Sequence, residues 1–157
     1  MAKKGQITEE MRTVAKDEDE SPSVICQRIA EGTAIITRNV QRENVHPIGI
    51  GKGLRTKVNT NIGTSPDLCD LNLEIEKAKV AVAYGTDTIM DLSTGGDLDE
   101  IRRTILKSVN VPIGTVPIYQ TAIEASRKKG AIINMSEDDI FNTIERHAKD
   151  GVDFMTV

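Results

Sequence analysis

The chain has 157 residues, a formal net charge of −4 and 38% hydrophobic residues. This length suits one ordinary domain with a sizeable core, but a complete eight-stranded barrel typically needs about 250 residues. No basic stripe, tryptophan or apolar run approaching the ~20 residues of a membrane span is present, which argues against nucleic acid or a membrane as primary partner. With two widely separated cysteines and no secretion signal, we expect a reduced, cytoplasmic protein.

The first part of the chain predicts a mixture of helix and strand. Residues 1–20 are mostly polar and are expected to form a short helix or an extended arm that is loosely held. A helix is expected to follow, because Ser21 can cap it, Pro22 suits its first position and Gly32 can end it. Residues 34–36 are expected to form a short strand.

A glycine-rich stretch at residues 49–53 (GIGKG) invites comparison with a phosphate-binding loop. Such a loop needs Gly-Lys followed by Ser or Thr and then a helix, whereas here Gly53 and an extended segment follow. We therefore interpret residues 46–58 as two extended stretches joined by a hairpin turn.

From residue 57 onward, strands and helices alternate. Apolar stripes with helical spacing and capping residues predict three helices, and short apolar runs predict four strands. The helices are expected near residues 71–84, 97–109 and 136–150, and the strands near 57–62, 88–90, 112–116 and 152–157. Two helix-to-strand joints share the pattern Gly-x-Asp, at residues 85–87 and 151–153, which indicates a repeated unit. The basic run 127–129 (RKK) is expected to be a solvated loop.

Three motifs rich in Gly, Ser, Thr and amide residues follow successive apolar runs. Asn61, Met90 and Tyr119 occupy these motifs at equal steps of 29 residues (from 61 to 90 and from 90 to 119). One strand, one helix and two loops take roughly that much chain, so the motifs are expected at the carboxyl ends of neighbouring strands. Asn61 can hydrogen-bond a polar ligand from a buried position, Met90 can form an adaptable apolar wall, and Tyr119 offers a ring and a hydroxyl. Each residue alone is as well explained by packing; together they predict a ligand-binding set.

Other candidate groups have simpler interpretations. His46 and His147 could be metal ligands or acid–base groups, but no further ligand completes a spacing around either, so structural or solvated roles are favoured. His147 lies in the last turn of a predicted helix, where a positive charge is welcome. Cys26 is expected in the core, and Cys69 in a partly exposed loop. We expect no metal site within this chain.

Taken together, five strings resemble the phosphomethylpyrimidine synthase family of thiamine biosynthesis. They are EGTAII at residues 31–36, KVNTNIG at 57–63, GTDTIMDLSTG at 85–95, PIGTVPIYQ at 112–120 and GVDF at 151–154. The resemblance implies a radical S-adenosylmethionine lyase that rearranges aminoimidazole ribotide into hydroxymethylpyrimidine phosphate. It also implies a homodimer, built from an N-terminal αβ part, a TIM-like (βα)8 barrel and a C-terminal element with a cysteine-bound [4Fe–4S] cluster.

Carried onto this sequence, the resemblance implies an αβ segment over residues 1–50 and the first half of the barrel, four βα-type strands, over 51–157. It implies that Asn61, Met90 and Tyr119 line the substrate site. The family's next substrate contact is a histidine directly after the fourth strand, and the metal-binding histidines and the cysteine triplet come later still. The chain as given carries none of them, so we expect a truncated enzyme that is inactive alone, with its S-adenosylmethionine, cluster and divalent metal (zinc or another) bound elsewhere. The alternative is a stand-alone, non-catalytic half-barrel module that binds a phosphorylated imidazole or pyrimidine.

Overall fold

The computed structural model describes all residues from Met1 to Val157. Its helices are α1 (Glu9–Asp17), α2 (Pro22–Ala30), α3 (Leu71–Ala83), α4 (Leu98–Ser108), α5 (Pro117–Lys129) and α6 (Glu137–Asp150). Its strands are β1 (Ala34–Thr37), β2 (Ile48–Gly51), β3 (Asn59–Ile62), β4 (Thr88–Asp91), β5 (Ile113–Thr115) and β6 (Phe154–Met155). Two 3₁₀ turns, Ala2–Lys4 and Ile132–Asn134, complete the secondary structure. None of the helices combines the length and apolar character that crossing a membrane requires.

The N-terminal part is a small packed unit. The short helix predicted as one alternative for residues 1–20 is confirmed by α1, but the prediction that this segment is loosely held is wrong. Met11, Val14 and Ala15 on α1 are at most 5% exposed and form an apolar cluster with Ile25 and Cys26 on α2. Positions i, i+3 and i+4 lie on one face of a helix, so α1 has a buried stripe despite its polar composition. The predicted second helix, its serine cap, the strand that follows and the buried Cys26 are confirmed.

The predicted hairpin around residues 51–53 is wrong, although the chain does turn there. β2 pairs antiparallel with β1, with Ala34 opposite Gly51, and the chain then passes to a different sheet. A Cβ on Gly51 would lie 2.4 Å from the carbonyl oxygen of Thr33, so the two backbones approach closely only because residue 51 is glycine.

The second sheet contains four parallel strands in chain order, β3-β4-β5-β6. Helices connect each strand to the next. One face of the sheet packs against these helices, and the core between them includes Ile62, Ile89 and Ile113 from the strands and Ile101 and Ile105 from α4. The α/β class with a parallel sheet is thus confirmed. The predicted boundary at residue 50 stays a prediction, since β2 itself ends at Gly51.

The connection between β5 and β6 contains two helices, so the count of three intervening helices is wrong. Residues 127–129 form the last turn of α5 rather than a loop, and Lys128 and Lys129 pair with Glu124 and Asp139. The buried face of α5 is largely polar and includes Gln120 and Thr121, so the helix lacks the apolar stripe that sequence patterns detect.

The two Gly-x-Asp joints have the same structural role at the amino ends of the strands, a region called here the amino edge. Asp87, just before β4, accepts a hydrogen bond from the Val58 amide at 2.7 Å and pairs with Arg55. Burial alone would raise the pKa of Asp87, but the hydrogen bonds from Arg55 and Val58 outweigh it and lower that pKa.

Asp153, just before β6, repeats this arrangement two strands further along. It accepts a hydrogen bond from the Ile113 amide at 2.8 Å and one from the Asn39 amide at 2.7 Å. Arg42 pairs with Asp153 and donates to the carbonyl oxygens of Leu106 and Val109 at the end of α4. Each joint therefore ties two parallel strands to an arginine from the preceding part of the chain.

Candidate functional site

The candidate site lies where β3, β4 and β5 end, a region called here the carboxyl edge. Successive side chains of a strand point to opposite faces of its sheet. Because Ile62 and Ile89 face the helices, their neighbours Asn61 and Met90 point to the other face, which no helix covers. The strand register sets Asn61 opposite Met90, and Met90 opposite Gly114.

Both asparagines of β3, Asn59 and Asn61, are exposed, so the prediction that Asn61 binds from a buried position is wrong. Asn59 accepts a hydrogen bond from the Thr88 hydroxyl at 2.8 Å and donates to Asn61 Oδ1 at 3.4 Å. The Nδ2 group of Asn61 makes no hydrogen bond within the chain, which leaves two donors free at the open face.

Met90 and Phe154 form an apolar surface beside Asn61. Gly114 lies between them in register, and a Cβ there would be 2.3 Å from Phe154 Cε2, so the ring lies directly over the glycine. Sequence reasoning did not single out Phe154. Its signal is a glycine opposite an aromatic residue on the neighbouring strand, which becomes visible only once the register is known.

Tyr119 reaches the carboxyl edge from a helix rather than from a strand. It lies in the first turn of α5, is 45% exposed, and its amide donates to the Val116 carbonyl at 3.1 Å. The register equivalent of Met90 on β5 is Gly114, so the second 29-residue step does not mark an equal height on the sheet. The structure thus brings Asn61 and Met90 side by side and puts Tyr119 at the same edge, on a helix.

The remaining polar residues of the motifs mainly hold two loops together. Thr64 donates from its hydroxyl to the Gly95 carbonyl at 2.7 Å and from its amide to Ser93 Oγ at 3.1 Å. A Cβ on Gly95 would lie 2.2 Å from the Ser65 carbonyl oxygen. The loops after β3 and β4 are therefore interlocked, and their serine and threonine side chains are used within the protein.

Two buried carboxylates accept hydrogen bonds from the backbone amides of these loops. Asp91 is 6% exposed and accepts hydrogen bonds from the amide and hydroxyl of Ser93 at 3.0 and 2.5 Å. Burial raises the pKa of Asp91, against the opposing hydrogen bonds from Ser93. Glu74, 2% exposed, accepts from the Gly63 amide at 2.7 Å and pairs with Lys77.

His147 is buried and has a structural position, one of the two roles favoured for it. It is 3% exposed, with Nδ1 2.9 Å from the Thr115 hydroxyl and Nε2 2.9 Å from Arg102. Burial, followed by the charge of Arg102, lowers the pKa of His147 to about 4, so the imidazole is neutral at pH 7.

The enclosed space beneath Tyr119 is too small for an organic ligand. It measures about 20 Å³, the room of about one water molecule, and its lining includes Asp91, Thr115, Tyr119 and His147. A larger cavity of about 240 Å³ lies between α5 and α6, away from the motifs. A cavity of about 370 Å³ adjoins the loop after β4 and the start of α5, and its lining includes Gly96, Asp97 and Gln120 but neither Asn61 nor Met90. A ligand that contacts Asn61 and Met90 would therefore bind on the open face of the sheet.

The residues present do not form a site for a metal or an iron–sulfur cluster. No three His, Cys, Asp or Glu side chains lie together as a metal would need. Cys26 is buried with Sγ 3.7 Å from the Ala2 carbonyl, Cys69 is exposed in a distant loop, and His46 pairs with Asp17 at 2.5 Å.

Comparisons with known proteins agree with the family resemblance of the five sequence strings quoted above. The model of the radical SAM ThiC family matches residues 1–157. Phosphomethylpyrimidine synthase of Thermodesulfovibrio yellowstonii is 61% identical over the whole chain, which corresponds to 37% of that relative. Proteins of the same name from Pyrococcus furiosus and Methanopyrus kandleri are 57% and 52% identical over 99% and 96% of the chain, or 36% and 35% of their own lengths.

The chain spans a little over a third of the length of these relatives. The match nevertheless extends over all the elements described above and includes both edges of the parallel sheet. The chain therefore belongs to the radical SAM ThiC family.

Proposed function

We propose that this chain is the substrate-contacting first half of the (βα)8 barrel of a phosphomethylpyrimidine synthase. The reaction proposed for the full-length enzyme is the radical rearrangement of aminoimidazole ribotide to hydroxymethylpyrimidine phosphate, a lyase step in thiamine biosynthesis. Family membership supports this assignment, and the parallel strands in chain order with helices between them fit the first half of a barrel.

The observation that carries the proposal is the pairing of Asn61 with Met90 on the uncovered face of the sheet. The free Nδ2 donors of Asn61 suit the ring nitrogen or hydroxyl oxygens of a ribotide, and Met90 offers an apolar contact for the flat imidazole. Tyr119, half exposed at the same edge, supplies a hydroxyl that can donate or accept. In this assignment all three residues bind and orient the substrate.

Radical SAM membership implies S-adenosylmethionine and a [4Fe–4S] cluster in the full-length protein. When bound, these cofactors supply the radical. Since Cys26 and Cys69 lie on separate elements and no metal-binding group is present, we derive no step through the cluster and propose that this chain binds substrate without turning it over. A divalent metal, a homodimer and a cytoplasmic location remain predictions.

Calorimetric titration of aminoimidazole ribotide into the chain tests the proposal. We expect saturable binding that weakens at least about tenfold in Asn61→Ala, because a ligand hydrogen bond and its orientation are lost. Asn110→Ala is the matched control, since Asn110 is an exposed asparagine just before β5, at the opposite edge. Absence of binding to the folded chain, or equal weakening in both variants, would contradict the proposed site.

The alternative of a stand-alone, non-catalytic binding module predicts the same titration result for the ribotide. No contact in the structure favours it, and the relatives found carry the name of a synthase. A module would bind hydroxymethylpyrimidine phosphate as tightly as the ribotide, so the ratio of the two affinities separates the two functions.

A further inference from the structure

Arg102 is an almost fully buried cation between α4, α5 and α6. It is 2% exposed, and all five of its N–H donors are used. Nε and Nη2 reach Asp150, Nη2 also reaches Asp99 at 2.6 Å, and Nη1 donates to Gln120 Oε1 at 2.8 Å and to His147 Nε2 at 2.9 Å. A buried guanidinium with every donor matched has one well-defined orientation, so its neighbours are fixed with it.

Gln120 connects this arginine to the turn that carries Tyr119. Its side chain is also saturated, since Nε2 donates to Asp99 at 2.8 Å and to Glu124 at 3.0 Å while Oε1 accepts from Arg102. Two carboxylate acceptors and one guanidinium donor leave no freedom to exchange the amide oxygen and nitrogen. The residue directly after Tyr119 is therefore held on three sides.

Helix α5 has no side-chain cap at its amino end. Its N-cap, Val116, provides no side-chain hydrogen bond, unlike the caps of the other five helices. Uncapped first turns tend to fray because their amide groups lack partners. The first turn of α5 is therefore constrained by buried Pro117, by the Thr121 hydroxyl, which donates to the Pro117 carbonyl at 3.0 Å, and by the side-chain amide of Gln120.

His147 closes the network from α6. Its Nδ1 lies 2.9 Å from the Thr115 hydroxyl, and its Nε2 lies 2.9 Å from Arg102 Nη1 and 2.8 Å from Gln120 Oε1. The end of β5, the start of α5 and the end of α6 are thereby joined through one guanidinium.

We propose that Arg102, Gln120 and His147 are positioning residues for Tyr119: they fix the uncapped first turn of α5 so that the tyrosine is held at the carboxyl edge before a ligand arrives. The value of this rigidity for binding rests on the proposed function, but the rigidity itself does not. Preorganisation of this kind lowers the entropy lost when a ligand binds.

The chain allows a direct measurement, because it has two tyrosines and no tryptophan. In a Tyr84→Phe background, tyrosine fluorescence reports Tyr119 alone. Time-resolved anisotropy then separates rapid local motion of the ring from tumbling of the whole chain. We expect Gln120→Met, which keeps a similar side-chain length but removes the amide, to at least double the fraction of anisotropy lost to rapid motion.

Ala125→Gly is the matched control for simple destabilisation of α5. Ala125 is 4% exposed on the same helix and takes no part in the network, and glycine weakens a helix interior. The proposal predicts that Ala125→Gly lowers thermal stability but leaves Tyr119 motion unchanged. Equal motion of Tyr119 in Gln120→Met and the parent, or an equal increase in Ala125→Gly, would overturn it.

If Gln120→Met does not fold, the proposal can still be tested by comparing the motion of the two tyrosines in chains whose network is intact. Tyr84, at the end of α3, is 89% exposed and serves as a mobile reference when observed alone in Tyr119→Phe. The proposal requires clearly less rapid motion for Tyr119 than for Tyr84, and equal motion would contradict it. Neither readout needs a ligand, so failure of ribotide binding and failure of this inference are distinguishable.

Discussion

At the amino edge of the parallel sheet, the carboxylates of Asp87 and Asp153 are almost completely buried and accept hydrogen bonds from backbone amides and from Arg55 and Arg42. At the carboxyl edge, Asn61 and Tyr119 are exposed, and the Asn61 amide has unused donors. The two carboxylates of the amino edge are satisfied within the protein, whereas Asn61 at the carboxyl edge keeps donors that only a partner could use. The comparison teaches that burial and free donors distinguish structural from binding residues better than residue type does.

The largest expected effect is at the amino edge. Arg42→Met would leave Asp153, whose side chain is 0% exposed, as a buried charge without its guanidinium partner. Breaking a buried ion pair on one side typically costs about 3–5 kcal/mol, and we expect a loss of that size in urea unfolding. Arg103→Met, at a half-exposed arginine 3.6 Å from Asp150, is the control and should change stability by less than about 1 kcal/mol. Similar losses of stability in both variants would show that the amino edge has no special role in stability.

The second largest expected effect is a pH dependence of the free energy of unfolding, caused by the neutral His147. Its pKa is about 4 in the folded chain and about 6.5 in an unfolded one, so between these values only the unfolded state binds the proton. The stability due to this group is complete above pH 6.5 and is lost as pH falls towards 4, by about 1.4 kcal/mol per pH unit and about 3 kcal/mol in all. Subtracting the urea-unfolding curve of His147→Gln from that of the parent isolates this slope.

The smallest effect on stability is at the interlocked loops of the carboxyl edge. Gly95→Ala would put a Cβ 2.2 Å from the Ser65 carbonyl, and relief of that overlap should cost about 1–3 kcal/mol. The loops after β3 and β4 would separate, so ribotide binding should weaken as well. Gly85→Ala, where the new Cβ meets nothing within 4 Å, should lower thermal stability by about 1 kcal/mol and spare binding. Unchanged binding in folded Gly95→Ala would show that the loops do not shape the site.

The sequence predicts the parallel sheet, most of its helices and the neighbouring positions of Asn61 and Met90, because apolar periodicity and equal spacing are local signals. It does not predict α5, whose buried face carries Gln120 and Thr121 in place of a continuous apolar stripe. Pro117 suits the first position of a helix, but without an apolar stripe after it this signal alone does not predict one.

The networks at both edges depend on contacts between distant parts of the chain. Arg42 and Asp153 are 111 positions apart, and Arg102 and His147 are 45 apart, so no local pattern connects them. Exposure of the asparagines also depends on which face the helices cover. These features arise from tertiary structure, which is why the sequence alone does not reveal the contacts of His147.

The central claim is that ligand binding takes place at the carboxyl edge while the amino edge is structural. Backbone amide chemical shifts followed by NMR during titration with aminoimidazole ribotide test it most directly. The account predicts saturable shifts confined to residues 61–64, 90–95, 114–120 and 154, with none at 55–58, 85–87 or 110–112. Shifts centred on the amino edge would contradict it.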